Sequence, residues 1–282
     1  MLRFLIKISI YAILFLGILE LLCVLLSPRI AFCKKIGIKK NYQGAATLLY
    51  KARKKIDSDT IHLGDSVARQ IFPPQLADHH LTGNATILLS GNYILTKELI
   101  EHNPHITDIY LGQIPAALRC EYEHKNTVNN FVKPFLSLYN GYFLIPQVLQ
   151  KLKEHPYTLW YLSYASKFAP LDEYNLGHDA PEAAHISEYN IEFLKKIIKL
   201  CNQNNVKLHL YSPPLSDNRI KRLETYNTDF LSEEDAILKP YFEDYYNSFK
   251  FVEEARFSDG MHLNKNYLHK NRARLQKYYL SL

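Results

Sequence analysis

Thr60-Ile61-His62-Leu63-Gly64-Asp65-Ser66 is a short β-prone run that stops at glycine, and Val67-Ala68-Arg69-Gln70-Ile71-Phe72 follows it with helical patterning. A strand that passes through a tight turn straight into a helix is the first half of a βα unit. The alternation continues downstream. Residues 85–89 read as a second strand ending at Ser90-Gly91-Asn92, a helix follows from about Leu95 to His102, and Asp108-Ile109-Tyr110-Leu111 makes a third strand closed by Gly112. Helical spacing of Ile191, Leu194, Ile197, Ile198 and Cys201 leads into a fourth strand over residues 206–211, which Pro213-Pro214 stops. Phe249-Lys250-Phe251-Val252 reads as a fifth strand, and a last helix runs from about Asn266 to the C-terminus. Short apolar runs separated by helices give a parallel sheet, so the fold expected is α/β with about five strands.

Between the third strand and the Tyr189 helix the chain is rich in Tyr, Phe, Leu and Pro and lacks β periodicity. Such a length is too great for a plain connection. A mostly helical insert over about 116–188 is expected, capping the C-terminal edge of the sheet where α/β ligand sites lie. The domain proper then spans 41–282, beginning with a basic amphipathic helix over about 41–56.

Residues 1–40 read as an anchor and its flank. From Ile8 to Leu26 the chain is apolar but for Glu20, long enough at about 1.5 Å per residue to cross roughly 30 Å of hydrocarbon. No small-x-small cleavage site follows it. Arg3 and Lys7 precede the run, whereas Arg29, Lys34, Lys35, Lys39 and Lys40 follow it, which by the positive-inside rule places the domain in the cytoplasm. Glu20 is costly within lipid, and a polar partner on a helix of another membrane protein would lower that cost.

Composition excludes more than it assigns. A 47% hydrophobic and 22% charged chain is ordinary for a globular protein. The net charge of +6 comes from scattered cations with no nucleic-acid motif beside them, so nucleic acid is not an expected partner. The four cysteines contain no CxxC pair, and neither a Walker nor a Rossmann phosphate loop is present. His79-His80, His102 with His105, and Cys120 with His124 lack paired ligand spacing on a defined helix or turn, so no metal and no cofactor is expected, and His62 on the first strand reads as a satisfied core or edge residue.

Two short motifs carry chemistry. Ser66 stands where a strand turns into a helix, a position that suits a nucleophile beside free backbone N–H groups and equally suits a helix N-cap. Near the other end, Phe257-Ser258-Asp259-Gly260-Met261-His262 places a carboxylate three residues before a histidine, close enough on a turn to fix its tautomer.

Strand–Gly64-Asp65-Ser66–helix early, with Asp259-x-x-His262 before the last helix, resembles the SGNH or GDSL-like hydrolases over about residues 59–282, the insert excepted. The resemblance implies a flavodoxin-like three-layer α/β/α fold in which Ser66 is the nucleophile, His262 its base and Asp259 the group that orients the base. It also implies an oxyanion hole built from a glycine after the second strand, matched by Gly91, and an asparagine in a GxND block after the third. That block is absent, since the third strand ends Leu111-Gly112-Gln113-Ile114-Pro115, leaving Asn92 and Gln113 as substitutes.

The layout looks like membrane-anchored proteins of bacterial envelope systems. It implies a serine esterase or O-acyltransferase on acyl esters of an envelope carbohydrate, with the domain outside the inner membrane, against the flanking charges. A non-catalytic or weakly active component of a membrane-bound assembly is the alternative.

Overall fold

The computed structural model describes residues 2–26, 48, 51–83, 89–119, 186–220 and 227–282. Its centre is a four-stranded parallel sheet of β1 (Thr60–Gly64), β2 (His80–Thr82), β3 (Asp108–Gly112) and β4 (Lys207–Tyr211), in the order β2-β1-β3-β4. The reversal of strand order lies beside β1, so the carboxyl ends of β1 and β3 open the crevice where α/β sheets bind ligands.

Alternation along the strands sorts the side chains to two faces. Ile61, Leu63, Ile109, Leu111, Leu208 and Leu210 join one apolar core with α3 (Leu89–His102), α5 (Glu188–Gln203) and α6 (Lys239–Asn247). The opposite face carries His62, Tyr110, His209 and Tyr211, and the core on that side gathers Ile71 and Phe72 around Tyr211, Leu268, Leu275 and Tyr279. Those residues bring in the four-residue helix α2 (Ala68–Ile71) and the C-terminal α7 (Lys265–Tyr279).

Several strand expectations need correction. The main sheet has four strands, because Phe251–Val252 (β6) pairs with Leu215–Ser216 (β5) in a separate two-stranded sheet. The strand beside β1 is His80–Thr82; of the run 85–89, residues 84–88 lie outside the described set and Leu89 already opens α3. A five-residue apolar run carries no periodicity that separates strand from helix, and a three-residue strand is too short to alternate.

Most of the 41–56 helix and residues 120–185 of the insert also lie outside the described set. The two ends of the insert meet, however. The Ser187 N–H donates to the Leu118 carbonyl at 3.0 Å, and buried Asn190 ties α5 to α4 (Pro115–Leu118) and α3 through Ala117, Leu118 and the Leu89 N–H. The chain therefore leaves the core and returns to it at one point, beside the sheet.

Helix α1 runs over Leu2–Leu26, 25 residues. Its continuously described side chains cover only residues 6–18, and among the described residues no helix is long and apolar enough to cross a membrane. The expected span over 8–26 is not found on those residues. Cys201 is a free, buried thiol that burial pushes up to about 12.

Candidate active site

Backbone crowding fixes the turn after β1. Gly64 has φ 149°, and a Cβ there would collide with the Gly112 carbonyl and approach Ala68 Cβ to 2.7 Å. Gly112 is equally constrained, since a Cβ would come within 2.5 Å of the Tyr211 ring. Only glycine lets the carboxyl ends of β1 and β3 approach this closely.

Asp65 then organises the turn. Its buried carboxylate accepts from the N–H groups of Val67 (2.8 Å) and Ala68 (3.0 Å) through Oδ1 and of Ile114 (3.0 Å) through Oδ2. Burial pushes its carboxyl above the usual range, while these three N–H donors and the nearby His262 pull it back. Asp65 thus does the capping that Ser66 was a candidate for, and it locks the turn after β1 to the segment after β3. The helix after Ser66, α2, is only four residues long, so this clamp organises the turn. With Val67 and Ala68 taken by Asp65 and Arg69 bonded to the Asp65 carbonyl, the Ser66 N–H is the one of this turn with no partner among the described residues.

The histidine arrives on a closed loop. Phe257 and Leu263 form an isolated antiparallel bridge, the Ser258 N–H donates to the His262 carbonyl at 2.8 Å, and Gly260 takes φ 74° at the tip. Asp259 Oδ1 accepts from the N–H groups of Met261 (3.1 Å) and His262 (2.7 Å), which frees Oδ2 to reach the imidazole. Burial raises the Asp259 carboxyl, but the His262 N–H, the imidazole and the Met261 N–H together outweigh it and hold the group below its usual value.

These two segments meet across 196 positions of sequence: His262 Nε2 lies 3.0 Å from Ser66 Oγ, and His262 Nδ1 lies 2.8 Å from Asp259 Oδ2. An ionised carboxylate only accepts, so Nδ1 carries the ring proton and Nε2 accepts from the serine hydroxyl. That is the geometry of an activated nucleophile, its base, and the group that fixes the base.

The proposed oxyanion donors are placed differently from one another. Gly91 and Asn92 are buried in the first turn of α3, a helix rather than the loop after a strand. Gln113 is fully buried; its N–H donates to Tyr211 and its carbonyl accepts from the Tyr245 hydroxyl at 2.8 Å. Among the described residues, Ser66 Oγ bonds His262 alone.

Sequence reasoning missed the residues that hold the two halves together. The Gln70 side chain bonds Leu263 in both directions, Nε2 donating to the carbonyl at 3.0 Å and Oε1 accepting from the N–H at 2.8 Å. Arg272 and Gln276 of α7 donate to the carbonyls of Gln70 and Ile71. Gln70 lies four residues beyond Ser66, and Leu263 directly follows His262; that shared adjacency is the only sequence signal for the pairing.

An open cavity of about 1050 Å³ backs the histidine loop. Ser258, Leu263 and Asn264 line it, but Ser66 and His262 do not, and Lys250, Arg256, Lys265, Lys270 and Arg274 make it cationic.

No protein-family profile matches the chain, and neither curated proteins nor solved structures give a match.

Proposed function

We propose that this protein is a serine ester hydrolase or O-acyltransferase of the SGNH-like type, acting on acyl esters of a cell-envelope carbohydrate. The observation that carries the reading is the continuous chain of contacts from Ser66 through His262 to Asp259. The strand order β2-β1-β3-β4 supports it, being that of the first four strands of a flavodoxin-like sheet.

In the first half-reaction Ser66 Oγ attacks the ester carbonyl carbon and its proton passes to His262 Nε2. The imidazolium, stabilised by Asp259, returns that proton to the departing alkoxide as the C–O bond breaks, leaving an acyl-serine. Water as the second nucleophile gives hydrolysis, and a sugar hydroxyl gives transfer; His262 deprotonates either. The free Ser66 N–H is the first donor for the oxyanion, and Gly91, Asn92 and Gln113 are the candidates for a second.

The cationic cavity beside the histidine loop suits a carrier polymer that bears negative charge. Membrane attachment through residues 8–26 rests on the exposure of α1, where Phe4, Ile8, Tyr11, Ile13, Phe15 and Ile18 leave between 49% and 69% of their surface uncovered. An apolar surface of that kind calls for lipid or a partner helix to cover it. The family resemblance supports a domain on the outer side of a bacterial inner membrane, against the charges that flank residues 8–26.

A fluorophosphonate probe applied to the full chain in detergent tests the chemistry. Ser66 is expected to be labelled, Ser66→Ala to abolish labelling, and His262→Ala to slow it by roughly 10²–10⁴. An unlabelled wild-type chain sinks the catalytic reading. It would favour the second reading, a non-catalytic envelope component, for which the burial of Gln113 where the family carries GxND speaks.

A further inference from the structure

We propose that His62, His79 and His80 form a binding site for a divalent transition-metal cation of the zinc type, clipping β1 to the turn that leads into edge strand β2. This goes beyond the acyl chemistry and does not depend on it.

The backbone brings the three residues together. His62 pairs in register with His80, and the His62 N–H donates to the His79 carbonyl at 2.9 Å. One ring nitrogen from each of the three lies within 4.8 Å of the other two. A tetrahedral zinc with bonds of about 2.0–2.1 Å needs its nitrogens roughly 3.4 Å apart, so closure asks for about an ångström of ring movement. His79, only half-buried, has the freedom to supply it.

A second, independent observation points to a ligand. His62 is 2% exposed, and its Nδ1 is buried without a hydrogen-bond partner. Buried imidazole nitrogens are ordinarily satisfied, and the Phe72 ring, stacked on His62 at 3.9 Å, offers none. His80 is oriented as metal-binding histidines usually are: its Nδ1 lies 3.1 Å from the Pro73 carbonyl, which places the proton there and leaves Nε2 with its lone pair. The neighbouring cation, Lys51, is held by the Pro74 and Ala77 carbonyls and by Asp78. Three imidazoles leave a fourth position for water or an outside ligand.

The contrast with the other group of ligand-type side chains, Glu98, Glu101 and His102, is instructive. There Glu98 is answered by Arg53 and Glu101 by Lys97, so that group is neutralised by the chain's own cations.

The test is a Zn²⁺ titration of the chelator-stripped full chain in detergent, read against a chromophoric chelator and by thermal unfolding. Wild type is expected to bind Zn²⁺ and to gain Tm with it. His79→Ala, chosen because its ring is half-exposed and no part of the core, is expected to weaken binding at least about tenfold and to lose the Tm gain. The same variant keeps the wild-type far-ultraviolet circular dichroism and the cooperative unfolding transition of the metal-free wild type, which shows that the fold is intact. His269→Ala, on α7, binds as wild type. Wild type without stoichiometric Zn²⁺, or His79→Ala and His80→Ala both binding like wild type, overturns the proposal and leaves the three rings as an aromatic stack.

Discussion

The two faces of the central sheet are held by different forces. Under α3 and α5 the contacts are mostly aliphatic: Ile61, Leu63, Ile109, Leu111, Leu208 and Leu210 meet Ile94, Leu95, Leu194 and Ile197, with Phe193 among them. Under α2 and α7 a row of rings crosses the sheet in register, His80 to His62 to Tyr110 to His209, with Tyr110 and His209 stacked at 4.3 Å and 4°. Directional bonds add to that face, among them His209 to Asp108 at 2.9 Å and the donors of α7 to the α2 carbonyls. Apolar burial is non-directional and fixes how much surface is hidden rather than where an atom sits. Hydrogen bonds fix positions. Ser66 and His262 are suspended from the ring-bearing face, where such bonds tie α2 to α7 and to the histidine loop.

The largest effect should come from the aliphatic face. Leu111→Ala removes a fully buried side chain from the centre of that core and is expected to cost about 2–5 kcal/mol in chemical denaturation. A cost under about 1 kcal/mol would mean the face is not the main source of stability.

The ring face should respond to acid instead. His62 and His80 sit below their ordinary value of 6.5, at about 3 and about 4, chiefly through burial. Below pH 6.5 the unfolded chain binds protons that the folded chain refuses, so stability falls as pH drops from about 6.5 through the folded values. The slope is at most about 1.4 kcal/mol per pH unit for each group. His62→Phe keeps a ring stacked on Phe72, removes the unsatisfied nitrogen, and should roughly halve that acid slope in metal-free buffer while leaving neutral-pH stability unchanged or higher. An unaltered acid limb would place the sensitivity elsewhere.

The same division explains what the sequence disclosed. β1, β3, β4, α5 and α7 were legible because aliphatic periodicity writes one face directly into the chain. The Ser66 turn and the Asp259–His262 pair were legible because each is local: three residues fix the glycine turn, and an Asx-type turn fixes the other. What stayed hidden was relational. His80–Thr82 becomes a strand only by pairing with β1, and the run 85–89 resembled a strand more than three residues ever could. Gly91 and Asn92 fall in a helix because α3 begins earlier than its periodicity suggests. Metal-type clustering of His62 with His79 and His80 depends on a strand register that no spacing rule encodes. Asp65 looked like a spacer between Gly64 and Ser66, although it carries three hydrogen bonds to the turn and to Ile114.

Gln70 is where the comparison can be made sharpest with the smallest change in stability. Its side chain exchanges two hydrogen bonds with the backbone of Leu263, the residue after His262, and it lies four residues beyond Ser66. Gln70→Ala deletes both bonds, each worth about 0.5–1.5 kcal/mol, so the whole fold should lose only about 1–2 kcal/mol. If the directional face exists to place atoms, the larger loss should be in chemistry: an ångström of drift between Ser66 Oγ and His262 Nε2 costs up to about 10² in rate. Fluorophosphonate labelling should slow by roughly ten- to a hundredfold while the denaturation midpoint moves little. Gln70→Glu, which keeps the acceptor for the Leu263 N–H but loses the donor to its carbonyl, should fall between wild type and alanine. A labelling rate that merely tracks the loss of stability would reduce Gln70 to a structural hook, and the distinction between a face that buries and a face that positions would then have to rest on His62 alone.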